Sequence, residues 1–316
     1  MEQWKIVPRF FDQKTNPGKK SARPGPGAFC VMVHLPFFKM EGAGNDYVYL
    51  DALEDPALVL KLTPEMIARM SDRHFGIGGD GVVMILPSGD SEALMRMWNA
   101  DGSESSMCGN ALRCVAFYVH KKNGKRNFTI ETKSGRHAAL IVDSSAKHGT
   151  VQVQIGQPRT GPDEIPVNPA VLGLTGKGPF LDVPVSVSGF EGKGTLVSMG
   201  NPHCVFFVED PDSLDLEKIG PLLEHHPAFP ARTNVEFVCV QSDGTIRQRT
   251  WERGSGETLA CGSGVCAVLV ASVLSRNMPR KNTIHVRGGD LEASWTEDGV
   301  MLSGPARIVF EGTFSV

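Results

Sequence analysis

The strongest constraint on the fold of this chain is that it repeats itself. Residues 98–109, WNADGSESSMCG, return 153 residues later as residues 251–262, WERGSGETLACG. Trp98 precedes Cys108 by ten positions, as Trp251 precedes Cys261, and Glu104 aligns with Glu257. Each Cys-Gly then opens an apolar, helix-like run. A second match lies at nearly the same offset, 156 residues. Gly44-Asn45 leads into Tyr47 to Leu50, and Gly200-Asn201 into Cys204 to Phe207. Two matches near one offset imply two homologous halves, meeting near residue 155 and packed about a pseudo-twofold axis.

Between these anchors, short β-rich runs alternate with a few helical stretches, which argues for an α+β protein with much antiparallel strand. Tyr47 to Leu50, Val82 to Leu86, Phe128 to Thr132, Val151 to Ile155 and Val235 to Val240 have the strand pattern. Thr63 to Asp72 has helical spacing, with Thr63 as N-cap and Pro64 at the first helical position. The last strand, from Ala306, could close either half. It is assigned to the first, giving halves at 34–154 plus 305–316 and at 155–304. Residues 1–33, where basic residues are mixed with Pro and Gly, read as an N-terminal extension. A transit peptide would be richer in Ser and poor in acids, whereas this stretch has Ser21 alone together with Glu2 and Asp12.

A net charge of −3 and the absence of a basic stripe argue against nucleic acid as a partner. No apolar run approaches the roughly 20 residues that span a bilayer, and the start has no signal-peptide core, so a cytoplasmic location is expected. Seven cysteines, an odd number at spacings that suggest no disulfide framework, are expected to be reduced.

Two of those cysteines carry the chemistry. Cys108-Gly109-Asn110 and Cys261-Gly262-Ser263 each stand where a polar turn gives way to an apolar run, Ala111 to Val119 or Val265 to Leu274. That is a helix N-terminus, whose free N–H groups and dipole favour an anion and should lower the pKa of a nearby thiol. Gly beside each Cys lets a ligand approach the backbone. Two such turns related by a pseudo-twofold would set two thiols on opposite sides of one bound carbon. One thiolate would remove an α-proton while the other thiol delivers a proton to the opposite face. No lysine motif for a Schiff base is visible, so helix-end donors would have to stabilise the carbanion. His203 and Glu252 are candidates for tuning the thiols. From the residues alone, His203 also fits a structural histidine and Glu252 a solvated strand charge.

From about Phe37 onward the chain resembles the diaminopimelate epimerase family in six ordered motifs. These are Lys39 to Asp46, Asn99 to Ser103, Met107 to Asn110, Gly200 to Val205, Thr233 to Phe237, and Glu252-Arg253-Gly254 with Ala260 to Gly264. The resemblance implies two pseudo-symmetric halves, each a curved, barrel-like sheet around a central helix, with the site in the cleft between. It implies interconversion of LL- and meso-diaminopimelate for lysine and peptidoglycan-precursor synthesis, without cofactor or metal, in an enzyme that is often a homodimer. It makes Cys108 and Cys261 the acid/base pair, and has Gly109 with Asn110 and Gly262 with Ser263 hold the reacting carboxylate. It also places Asn45, Asn99, Asn201, Asn234, Glu252 and Arg253 in the substrate site, and has His203 and Glu252 tune the thiols. Two positions depart from the usual pattern: Gly81 stands where many relatives have Gln, and Ser263 where Thr is common.

Gly76 to Gly81 fits G-x-G-x-x-G, but a strand follows it where a dinucleotide site needs a helix. Cys108 with Cys114 and Cys261 with Cys266 match no zinc or C-x-x-C spacing, so Cys114 and Cys266 read as core residues. Cys30, Cys204 and Cys239 read as bland too. A thiol-disulfide oxidoreductase built on Cys108 and Cys261 is the alternative of another class. A proline or hydroxyproline racemase is the nearer rival, although Asn110 stands where those enzymes usually have His, and the Glu252-Arg253 pair would be idle on a substrate with one centre.

Overall fold

The structure is a computed structural model that describes residues 34–315. The expected N-terminal extension, with Cys30, and the final Val316 lie outside the described residues. The duplication reappears as one pairing scheme used twice. In the first half the strands His34–Gly42, Asn45–Asp51, Gly81–Leu86, Ala93–Asn99, Asn127–Thr132, Gly135–Ser144 and His148–Gly156 pair in chain order. The pairings run antiparallel, parallel, antiparallel, parallel, antiparallel, antiparallel. In the second half the strands Phe190–Ser198, Pro202–Phe207, Asn234–Val240, Ile246–Glu252, Lys281–Val286, Gly289–Thr296 and Gly299–Ser315 follow the same series. A parallel pair needs a crossover, and helices supply all four. These are α1 (Pro64–Ser71) and α2 (Gly109–Asn123) in the first half, and α3 (Leu216–Glu224) and α4 (Gly262–Arg276) in the second.

Each sheet curls into a ring that the other half helps to close. The strand Gly299–Ser315 pairs with His148–Gly156 through residues 300–307, then continues along His34–Gly42 through residues 307–315. That makes an eight-stranded barrel of the first half. Reciprocally, the chain just beyond His148–Gly156 reaches the second half, where Arg159 bridges to Ser198. Closure removes the exposed edges that an open sheet would present.

The barrels are filled by α2 and α4. Ala111 to Phe117 and Val265 to Ala271 are buried without interruption, as expected of helices enclosed on all sides rather than lying on a surface. Cys114 and Cys266 belong to these runs, in line with the core reading. Both helices have 15 residues, and both end on a left-handed residue, Gly124 or Asn277, again 153 positions apart. The shorter helices lie against the sheets. Thr63 caps α1 by accepting the Met66 N–H at 3.3 Å, and Pro64 begins it, as the spacing predicts. Leu216, Ile219 and Leu223 of α3 pack with Phe206, Phe237 and Trp251 in a second core. No helix among the described residues is long and apolar enough to cross a membrane.

One repeated feature was not visible in the motifs. Arg96 pairs with Glu104 at 2.8 Å, and Arg249 with Glu257 at 2.8 Å, each joining a strand to the hairpin return before a Cys-Gly turn. The first pair is partly exposed, at 36% and 27%; the second is shielded, at 8% and 11%. Arg249 also donates to the Pro211 and Leu214 carbonyls. Arg249→Ala should therefore cost on the order of 2–3 kcal/mol, a little under the usual cost of breaking a buried pair because Arg287 still reaches Glu257 at 3.1 Å. Arg96→Ala should cost under about 1 kcal/mol. Urea unfolding of the two variants measures the difference, and equal losses would contradict this reading of burial.

Candidate active site

The N-termini of α2 and α4 meet. A methyl group added to Gly262 would lie 3.6 Å from the Gly109 Cα and 3.1 Å from Leu302, so both positions are held small by helix-end packing as well as by access to the backbone. Cys108 and Cys261 occupy the two N-cap positions in extended conformation. There a Ser, Thr, Asp or Asn would ordinarily accept a helix N–H. Cys261 does this with sulfur, accepting from the Gly264 N–H at 3.4 Å. Both cysteines open onto a cavity of about 1420 Å³.

Twelve of the thirteen residues predicted for the site line this cavity: Asn45, Asn99, Cys108, Gly109, Asn110, Asn201, Asn234, Glu252, Arg253, Cys261, Gly262 and Ser263. His203 does not line it. It lies buried behind the wall, where its Nδ1 faces the Glu236 carboxylate at 2.7 Å and its Nε2 faces the Asn201 Oδ1 at 3.1 Å. Asn201 in turn donates to Ser263 Oγ at 3.2 Å, and Ser263 Oγ is 3.6 Å from Cys261 Sγ. A continuous polar chain thus runs from Glu236 to the second thiol. The first thiol has a different neighbourhood. Cys108 donates to Asn45 Oδ1 at 3.4 Å, and the Asn45 amide donates to Asp80 at 2.5 Å. Asp80 and Asp46 share Arg73, and Asp46 also pairs with the buried Lys39 at 2.6 Å. Asn110 reaches across to the other half, donating to the Ala260 carbonyl at 3.2 Å.

The remaining predicted residues sit around the turn after Trp251. Glu252 accepts the Thr258 hydroxyl at 2.6 Å. Asn234 ties two motifs together, donating to the Pro202 carbonyl at 2.8 Å and accepting the Arg253 N–H at 3.0 Å. The Arg253 guanidinium donates to the Ala231 carbonyl and is otherwise exposed. Asn99 is exposed at the far rim, held by Ser103. At Gly81, any side chain would begin 1.9 Å from the Trp98 carbonyl oxygen, so the local backbone admits only glycine. Glu236, Asp80 and Arg73 are absent from the residues predicted for the site. The signal for Glu236 was its place in the Thr233 to Phe237 motif.

The thiols correct one expectation. A helix N-terminus should lower a cysteine pKa, but burial pushes both up: Cys108 is raised, and Cys261 is raised well above the ordinary thiol range. For Cys261 the nearby Glu252 and Glu236 charges add to burial, while Ser263 and the Gly264 N–H act the other way. For Cys108 the Ala111 and Asn110 N–H groups oppose burial and do not overcome it. Burial likewise raises the Glu252 carboxyl.

A sequence model of the diaminopimelate epimerase family matches residues 37–161 and 195–309. The diaminopimelate epimerase of Acetivibrio thermocellus is 48% identical over 280 residues, covering 87% of this chain and 97% of its own. That of Desulfovibrio desulfuricans is 46% identical over 290 residues, covering 90% and 100%. Among solved structures, a probable proline racemase from Agrobacterium radiobacter covers 88% of this chain and 92% of its own at TM-score 0.62 and 15% identity. A hydroxyproline epimerase from Agrobacterium vitis covers 89% and 91% at TM-score 0.60 and 14% identity, and these two likenesses show the fold alone. With its two halves, its paired Cys-Gly helix ends and this extent of identity, the chain belongs to the diaminopimelate epimerase family.

Proposed function

We propose that this protein interconverts LL- and meso-2,6-diaminopimelate by passing the α-proton between Cys108 and Cys261, in lysine and peptidoglycan-precursor synthesis. The observation that carries the reading is the junction of two helix N-termini at Gly109 and Gly262, with a cysteine at each N-cap position and one cavity in front of both. A carboxylate set at that junction receives N–H groups and positive dipole ends from α2 and α4 together. The attached α-carbon then lies between the two thiols. One sulfur, as thiolate, takes the α-proton; the electron pair spreads into the carboxylate held at the helix ends; the other thiol returns a proton from the opposite face. Every proton and electron pair is accounted for by these groups and the substrate, so the step calls for no pyridoxal phosphate or metal.

Because burial keeps the resting thiols neutral, a neighbour must take a proton first. Glu252, made more basic by burial, serves Cys261. The Glu236–His203–Asn201–Ser263 chain orients the same thiol from behind. Asn110 and Ser263, each just past a Cys-Gly, support the reacting carboxylate. Asn45 orients Cys108. Asn99, Asn234 and Arg253 receive the far amino-acid end, whose own charges must be matched to be bound. The working division of the chain is into 34–154 plus 305–316 and 155–304, one thiol from each. A cytoplasmic homodimer is the assembly that accords with this reading.

Cys108→Ala and Cys261→Ala should each lower epimerisation of LL-diaminopimelate at least about a thousandfold, with melting temperature unchanged within a few degrees. Near-normal turnover in either variant would overturn the proposal. Iodoacetamide reads the thiolate, and the raised thiol pKa keeps each cysteine protonated below the ordinary value of about 8.5. Alkylation of Cys108 and Cys261, mapped by mass spectrometry, should therefore be slower than that of free cysteine at pH 7.5 and climb as pH rises past that value. Fast modification already at neutral pH would restore the helix-end expectation against burial.

A further inference from the structure

The duplicated turns that follow Trp98 and Trp251 are held in different ways. In the first half the turn ties itself together. Asp101 accepts both the Ser103 N–H at 2.9 Å and the Ser103 hydroxyl at 2.6 Å, and Ser103 accepts the Asn99 amide at 3.0 Å. At the corresponding positions, 153 residues later, the second turn has Gly254 for Asp101 and Gly256 for Ser103. Those internal bonds cannot form there. Yet this turn carries Glu252 and Arg253, and a tip left with only the backbone bond from the Ser255 N–H to the Glu252 carbonyl, at 3.0 Å, is normally the mobile part of a hairpin.

The missing ties are replaced from outside by Glu224, the last residue of α3. Glu224 is 4% exposed. One oxygen accepts the Trp251 indole N–H at 2.8 Å and the other the Gly254 N–H at 3.0 Å, with Arg232 at 3.5 Å from the latter. The two donors bracket Glu252-Arg253. An acid at a helix C-terminus faces the negative end of the dipole, and burying a carboxylate costs free energy, so neither local propensity nor packing accounts for it. Asn234 completes the clamp by accepting the Arg253 N–H.

We propose that Glu224 is a positioning residue that fixes the Arg253 side of this turn, Glu252 being held separately by the Thr258 hydroxyl at 2.6 Å, and thereby sets affinity for the far amino-acid end of the substrate. This rests on the functional reading above. Glu224→Gln keeps the shape and one acceptor, but turns an N–H₂ toward one of the two donors. The expected result is a KM for LL-diaminopimelate raised about tenfold, the worth of one charge-assisted hydrogen bond, with kcat changed less than about threefold. In an Arg253→Ala background the same substitution should add little, because the group it positions is gone. An unchanged KM, a loss confined to kcat, or an equal effect in both backgrounds would overturn the proposal. Hydrogen–deuterium exchange of the peptide spanning residues 250–258 gives a readout that needs no substrate. It should quicken in Glu224→Gln while the core helices α2 and α4 stay protected, and unchanged exchange would overturn the clamp. If wild-type protein fails to turn over LL-diaminopimelate while the exchange result holds, the functional reading fails and the clamp stands.

Discussion

Helices α2 and α4 meet N-terminus to N-terminus, so the positive ends of two macrodipoles sit together at Gly109 and Gly262, an arrangement that costs free energy until an anion lies beside it. The rest of the fold is what enforces it. Each helix is enclosed by its own ring of strands, and each ring is completed by chain from the other half, through Gly299–Ser315 in one direction and the Arg159–Ser198 bridge in the other. Neither helix can retreat without opening a barrel. The unfavourable junction becomes a preorganised site for a carboxylate, and the residues capping the two helices are the ones that would face its α-carbon.

Symmetry serves the chemistry only up to a point. Proton exchange at one carbon asks for two matched faces, and the matched features, two N-cap cysteines on two 15-residue helices, come directly from duplication. A substrate with two ends asks for an asymmetric wall, and the halves differ there. Asn99-Ala100 on one side corresponds to Glu252-Arg253 on the other, and Tyr47 stands where the second half has His203. The first thiol meets Asn45, held by a charged network through Asp80 and Arg73; the second meets Ser263, Asn201 and the buried His203–Glu236 pair.

What could be read from the sequence is what depends on local pattern. The strand alternation, the Thr63 cap and the two Cys-Gly helix starts are each set within a few residues, and each is found in the structure. The repeat supplied the one long-range fact, that Cys108 and Cys261 belong to equivalent places. Glu236 is not legible in sequence as a site residue because its value lies in a parallel strand pairing that sets His203 opposite Asn234 and brings the carboxylate to the imidazole. Glu224 is not legible either, because its partners, Trp251 and Gly254, are more than 25 positions away and on another element. The direction of the thiol pKa is hidden from the sequence for the same reason. The helix-end field is local and visible in sequence, whereas burial of the sulfurs where the two halves meet and the approach of Glu252 and Glu236 to Cys261 are tertiary.

The central claim is that two different groups handle the proton on opposite faces of one carbon. It is tested most directly by incubating the protein with LL-diaminopimelate in D₂O under reducing conditions and following deuterium in substrate and product at early times. Two thiols predict that the meso product carries solvent deuterium at the inverted carbon while recovered LL-substrate keeps its hydrogen, because the abstracting thiol shields and returns the original proton. Deuterium appearing in substrate and product at equal rates would mean a single exchanging base and would contradict the account.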